Sequence, residues 1–400
     1  MRLSTNLIFD RGAASISERQ SELFKTQQQM STGRRLLTPA DDPVAATLAL
    51  RSQQGLSLTQ QQAANQDAAT ATLNRTEAAT AAIGDLLQEA RQVLVSAGNG
   101  GLSDGDRRSL ATVLSGHLQQ LASLANARDG AGGYLFAGFN DTAAPFALTS
   151  TGAVYAGDDG VRELDVAPQR RLPVTASGAD LLMRIPSGNG VYAVAAGAAN
   201  SGTGLIDPGR VVSPAALTGH QYQLVFTSAA AYDVLDVTAG TTVSSGNAYT
   251  PSAAISVAGM QTTVSGAPVA GDTFALDPSR HQSVFSTFAK VISALNTPVS
   301  TPALATALAN QMNHSLTDLD RAFDSVLTAR TGAGARLAEL ETLKNVTNAA
   351  SDEHQRRLSE LQDLDYARAA SDLTRQQTLL QANQQSFAKI AKLSLFDYLG

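Results

Sequence analysis

Five histidines and two aspartate pairs are the first places to look for chemistry in these 400 residues. His117, His220, His281, His314 and His354 are scattered, with no HExxH or His-x-His spacing, so they read as surface or packing residues rather than zinc ligands. Asp41-Asp42 could share a metal, but Pro43 follows directly. Aspartate before proline is a helix start: the carboxylate caps and the proline takes the first helical position. The helix-cap pair is therefore Asp42 and Pro43. Asp158-Asp159 lies between glycines, yet the spaced oxygen ligands and closing glutamate of a calcium loop are missing, and a hairpin turn is favoured. Gly130-Ala131-Gly132-Gly133 has Leu135 where a GxGxxG would place its last glycine. No P-loop occurs, and the chain has no cysteine for thiol catalysis, disulfides or the usual zinc frameworks. No catalytic, metal or cofactor site is expected.

The regular spacing lies at the two ends instead. Tyr366, Leu373, Leu380 and Phe387 are seven apart, with Ala369, Gln376, Asn383 and Ile390 three residues after them. An apolar residue every seventh position, with a second row between, makes a stripe along one long helix. Without proline or glycine in the run, one helix is expected from Arg356 to Leu393. Phe9, Ile16, Leu23 and Met30 are also seven apart, with Ala13, Gln20 and Gln27 between them. The two stripes are expected to pair with each other. Both have large apolar residues in one row and small or amide residues in the other, so the seam is thin. It should be weak alone and firmly ordered only when several subunits pack together. Heptads of this kind also form the core of a plain hairpin; the long, glutamine-rich, proline-free ends argue for assembly.

Between the ends the texture changes twice. Gly33 and Pro39 end the first helix. A second helix is expected from Val44 to Ala97, closed by Gly98-Asn99-Gly100-Gly101, and a third begins near Ser103. Residues 139–280 hold half of the 32 glycines and no lysine. Alternation in Leu164/Val166, Tyr222/Leu224/Phe226 and Phe274/Leu276 reads as strands. Turn clusters fall at 157–160, 188–190, 207–209 and 245–247. Helices return after Pro278, with Pro298 and Pro302 marking a break and Gly332-Ala333-Gly334 as either an interruption or a close-packing point. The fold class is α+β multidomain: a long antiparallel helical rod or coiled coil from both termini with an inserted β-rich outer region. The expected domains are 1–38 with 356–400 (inner coiled coil), 39–138 with 281–355 (helical rod), and 139–280 (outer β).

The charge balance is −6, with no basic run, which argues against nucleic acid. No window approaches a membrane span, and Met1–Gly12 lacks the apolar stretch of a cleaved secretory signal.

Order and position of several short motifs then add a resemblance. Arg2-Leu3-Ser4-Thr5, Gln29-Met30-Ser31-Thr32-Gly33-Arg34-Arg35 and Pro39-Ala40-Asp41-Asp42-Pro43 resemble the N-terminal pattern of the flagellar hook-associated protein 3 family, relatives of flagellin. Leu361–Ala367, Leu379-Leu380-Gln381-Ala382 and Leu393–Leu399 resemble its C-terminal pattern. Asn126 with Gly133–Gly138, Tyr155-Ala156-Gly157-Asp158 and Gly271-Asp272-Thr273-Phe274 are similar to its inner motifs. Flagellin is the near alternative: Pro43 and the Leu395–Leu399 ending favour the junction family, while Leu380–Gln384 reads like flagellin. The resemblance implies a structural adaptor, not an enzyme. It would be exported unfolded by the flagellar type III system and held by an export chaperone. Outside the cell it would stack between hook-associated protein 1 and flagellin at the hook–filament junction, in a ring of its own copies. The expected assembly residues are Phe9, Ile16, Leu23, Met30, Tyr366, Leu373, Leu380, Phe387, Ile390 and Leu395. An adhesin or an enzyme carried in the β insert is the remote alternative.

Overall fold

A computed structural model describes residues 5–130 and 132–399; the side chains of residues 5, 6, 8 and 390–399 lie outside the description. Among the described residues there are six α-helices: α1 (Thr5–Thr32), α2 (Pro43–Ala97), α3 (Asp104–Ala125), α4 (Val284–Asn296), α5 (Pro302–Gln362) and α6 (Tyr366–Leu399). Local chemistry sets several of their ends. Gly33 follows α1 with φ +69°, a left-handed conformation that glycine adopts without penalty. Pro43 opens α2, with Asp42 Oδ1 accepting from Ala45 N at 3.0 Å. Ser103 caps α3 in a reciprocal box with Asp106.

The chain forms two compact units, Met1–Ala64 with Leu343–Gly400 and Asn65–Thr342. In the second, one core joins Ile83, Leu86 and Leu94 of α2, Leu114 and Leu121 of α3, and Phe285, Phe288 and Val291 of α4. Phe136, Phe146 and Leu182 belong to that same core, so the segment after residue 139 packs with the helices. Asn126 fixes this junction: its side chain donates to Phe146 O at 2.9 Å and accepts from Phe146 N at 3.0 Å.

A separate core occupies 192–276. A five-stranded antiparallel sheet runs Thr241–Ala248, Ala231–Asp236, Tyr222–Ser228, Thr273–Pro278, Tyr192–Ala196. Tyr222, Leu224 and Phe226 alternate inward, against Phe274, Leu276 and Val264. The second sheet centres on Met260–Ser265, paired with Ala254–Val257 and with the short strands Leu205–Ile206 and Arg210–Val211.

The structure departs from several sequence expectations. Arg356–Leu393 is not one helix: α5 ends at Gln362 and α6 begins at Tyr366. Gly332-Ala333-Gly334 does not interrupt α5; a Cβ on either glycine would meet nothing within 4 Å, while Ala333 between them is buried. Residues 157–160 do not close a hairpin. There the Asp158 carboxylate accepts from Phe139 N, Asn140 N and Gly160 N at 2.9, 3.0 and 2.7 Å, tying the segment back to the exit from α3. These bonds hold its carboxyl below the usual range. Ser245-Gly246-Asn247 is an irregularity inside the strand Thr241–Ala248, where the pairing register shifts.

Candidate assembly interface

In the first unit α1 lies along α6. Phe9 meets Phe387 edge to face, ring centroids 5.6 Å apart. Ile16, Leu23 and Met30 on α1 and Leu373, Leu380 and Phe387 on α6 are all half-buried, on one side of each helix. Tyr366 reaches across at the other end, donating its hydroxyl to Met30 O at 3.3 Å, while the residue stays 54% exposed. The side chains of Ile390 and Leu395 lie outside the described residues.

The second row of α1 is not the expected one. Ala13, Gln20 and Gln27 are exposed; Gly12, Arg19 and Thr26 turn inward instead. On α6, Ala369, Gln376 and Asn383 turn inward. Both helices therefore alternate three- and four-residue steps in the same phase, 9-12-16-19-23-26-30 and 366-369-373-376-380-383-387. Gly12 is there for Phe387: a Cβ would sit 2.6 and 2.7 Å from Cδ2 and Cε2 of the ring.

The break between α5 and α6 is built by the turn after α1. Arg35 N donates to Gln362 O at 2.7 Å, Leu364 N to Gly33 O at 3.0 Å, and the Arg35 guanidinium to Leu361 O at 2.8 Å. Arg34 and Asp363 face each other as an antiparallel bridge. Asp365 restarts the helix by accepting from Arg368 N at 3.1 Å. Here the chain's own backbone takes the α5 carbonyls that a helix end leaves free.

Asp41 and Asp42 divide the work between two helices. Asp42 caps α2. Asp41 accepts from Leu37 N and Thr38 N at 3.0 and 2.8 Å, and Lys25 of α1 bridges to it at 2.6 Å. Lys25 first, then the backbone bonds, depress the Asp41 carboxyl to about 2. Sequence reading missed Lys25 and Gly12 and gave Arg35 only as part of a motif, because none carries an apolar or capping signal of its own.

What the seam leaves outside is also apolar. Phe24 is 69% exposed and Val44 70%, with Leu7, Leu48, Leu58, Val346 and Leu379 exposed as well. Within the same unit Ala45, Ala49, Ser52 and Thr59 turn inward on α2. The small residues thus serve the internal contacts and larger ones face solvent. Among the described residues no cluster of three metal-ligating side chains occurs, and no helix is long and apolar enough to cross a membrane.

Comparison with known proteins matches this architecture. The bacterial flagellin N-terminal helical region matches residues 3–141, and the bacterial flagellin C-terminal helical region residues 316–399. The flagellar hook-associated protein 3 of Salmonella typhimurium is 38% identical over 187 residues, 47% of this chain and 58% of that protein. The Escherichia coli protein of the same name is 27% identical over 397 residues, 99% of each chain. The crystal structure of Xanthomonas campestris FlgL is 31% identical, with TM-score 0.73, covering 77% of this chain and 99% of that one. The flagellar junction protein FlgL of Legionella pneumophila is 30% identical, with TM-score 0.70, covering 79% and 100%.

Proposed function

The chain belongs to the flagellar hook-associated protein 3 family, and from this we propose that it is the structural adaptor subunit joining the hook to the flagellin filament. The observation that carries the reading is the terminal unit. It pairs the two ends of the chain through a thin heptad seam and leaves Phe24, Val44, Leu48 and Leu58 facing solvent. Exposed apolar side chains in such number on one small unit call for neighbours.

On this proposal copies of the chain stack through that unit, with hook-associated protein 1 on one side and flagellin on the other. Phe9, Ile16, Leu23 and Met30 pair with Tyr366, Leu373, Leu380 and Phe387, while Ile390 and Leu395 extend the α6 side. The ends order on assembly after export in an unfolded state, an export chaperone holding the C-terminal segment meanwhile. The role is mechanical rather than enzymatic, and its place is outside the cell.

Immunogold electron microscopy of detached flagella, with antibody to residues 65–342, tests the position. Label confined to a narrow zone between hook and filament is expected. Label along the whole filament would make the chain a flagellin and overturn the proposal.

A further inference from the structure

A cavity of about 400 Å³ opens where the edge strand Tyr192–Ala196, the residues leading into α4, and helix α5 come together. Its charged lining is Arg280, Lys290 and Asp318. Among the described residues neither cation is paired with a carboxylate; Lys290 reaches Gln282 Oε1, at 3.5 Å. The carboxylate of the lining, Asp318, is half-buried, more enclosed than either cation, and accepts from Gly188 N at 3.0 Å. Two further polar atoms belong to lining residues: Gln282 Nε2 and His314 Nε2 are buried without a hydrogen-bond partner. Burial pushes the His314 imidazole pKa down, against the opposing pull of Asp318. Ala193, Ala195 and Pro208 give the recess an apolar side.

Two cations without a carboxylate partner among the described residues and one apolar wall ask for a single kind of occupant. It must carry negative charge and present a small carbon face. The volume is at the lower end of small-molecule sites, about 300–1,000 Å³, which suits a monosaccharide-sized molecule. We propose that this cavity binds a small organic acid, its carboxylate or phosphate held between Arg280 and Lys290. The site is made wholly within the unit of residues 65–342 and stands independently of the junction role.

The test is calorimetric titration of the full chain with glucuronate, glucose 6-phosphate and glucose. Saturable one-to-one binding of at least one of the two acids is expected, with Kd about 1 mM or tighter. Which acid binds more tightly distinguishes a carboxylate from a phosphate ligand. Glucose, with the same ring and no charge, should give no isotherm. Arg280→Gln with Lys290→Gln should weaken the acid by about tenfold or more, because charge-assisted hydrogen bonds are lost. Both side chains are exposed, so the double variant should keep its circular dichroism spectrum. Arg171→Gln, an exposed arginine that does not line the cavity, should bind like the unaltered chain. The His314 imidazole proton resonance should move during the titration. No saturable binding of either acid by the unaltered chain would overturn the proposal and leave the recess to water. Equal binding by the double variant, or of glucose, would overturn it too.

Discussion

Gly12→Ala sets two physical effects of opposite sign against each other. Glycine inside a helix costs about 0.8–1.0 kcal/mol relative to alanine, so propensity alone predicts a stabler α1. The seam predicts the reverse. The new Cβ would lie 2.6 Å from the Phe387 ring, closer than carbon atoms approach, and the ring must swing away. Leaving Phe9 forfeits an edge-to-face contact worth about 0.5–1.5 kcal/mol. The ring is half-buried, so it also gives up about half of the ~1.5–3 kcal/mol of a fully buried side chain, or about 1 kcal/mol. The loss totals about 2 kcal/mol against a gain of about 1, leaving Gly12→Ala destabilising by about 1 kcal/mol. In a Phe387→Leu background the clash is relieved, and the same substitution should turn stabilising by up to about 1 kcal/mol. Helix content against temperature, followed by circular dichroism in all four chains of this double-mutant cycle, reads both signs. If Gly12→Ala alone stabilises by the full propensity difference, Phe387 does not rest on Gly12 and the phase assigned to α1 is wrong.

Leu380→Asp puts a charge into the seam and should abolish incorporation at the hook end; normal filament growth with this variant would sink the assembly reading. Folding of residues 65–342 should be untouched, as judged by a native near-ultraviolet spectrum. The Asp41 carboxyl is depressed in the folded chain to about 2, against about 3.9 when unfolded. Its contribution is therefore complete above pH ~4 and is lost as pH falls from ~4 toward 2. Thermal unfolding of Asp41→Asn should be less stable at pH 6 and less sensitive to acid in that window than the unaltered chain. Gly332→Ala and Gly334→Ala lie in the interior of α5 with open space at Cβ. Each should raise stability against urea by about 0.8–1 kcal/mol. A drop in either would reveal a contact that the isolated chain does not show.

Elements set by their own residues were legible in the sequence, and those set by distant ones were not. Pro43 opens α2 and Ser103 caps α3 because the capping groups lie within a few residues of the helix they start. The strand Tyr222–Ser228 follows from its own alternation. The α5–α6 break escaped because its cause is more than 300 residues away in sequence: Gly33 and Arg35 take over the backbone groups of Gln362 and Leu364. Asp363-Leu364-Asp365 carries no proline or glycine to announce it. The inner row of α1 escaped for another reason. A four-residue step from Phe9 gives Ala13 and a three-residue step gives Gly12, and composition does not choose between them; Phe387 does. The motifs centred on Asp158 and Asp272 were visible, but their work was not. Both carboxylates gather backbone N–H groups from segments far along the chain: Phe139 and Asn140 for the first, Ser201 and Gly202 for the second.

The composition of the seam bears directly on how such a chain could be exported and still assemble. Of the two rows, one is apolar on both helices. The other reads Gly12, Arg19, Thr26 against Ala369, Gln376, Asn383. Gln376 Oε1 is buried there without a hydrogen-bond partner. Glycine, amide and charged residues in the second row withhold the burial that a leucine row would supply, and a buried polar atom left unpaired costs about 1–3 kcal/mol. Polar residues in a heptad seam also penalise shifted registers more than the correct one. A seam built this way pairs in one alignment and gains little from pairing alone. Replacing Gln376 with leucine should therefore raise the melting temperature of the free chain. On the proposed reading it should also slow release of the unfolded chain for export, measured as secreted protein per cell. A stabler free chain with unchanged secretion would show that the weakness of the seam serves alignment only.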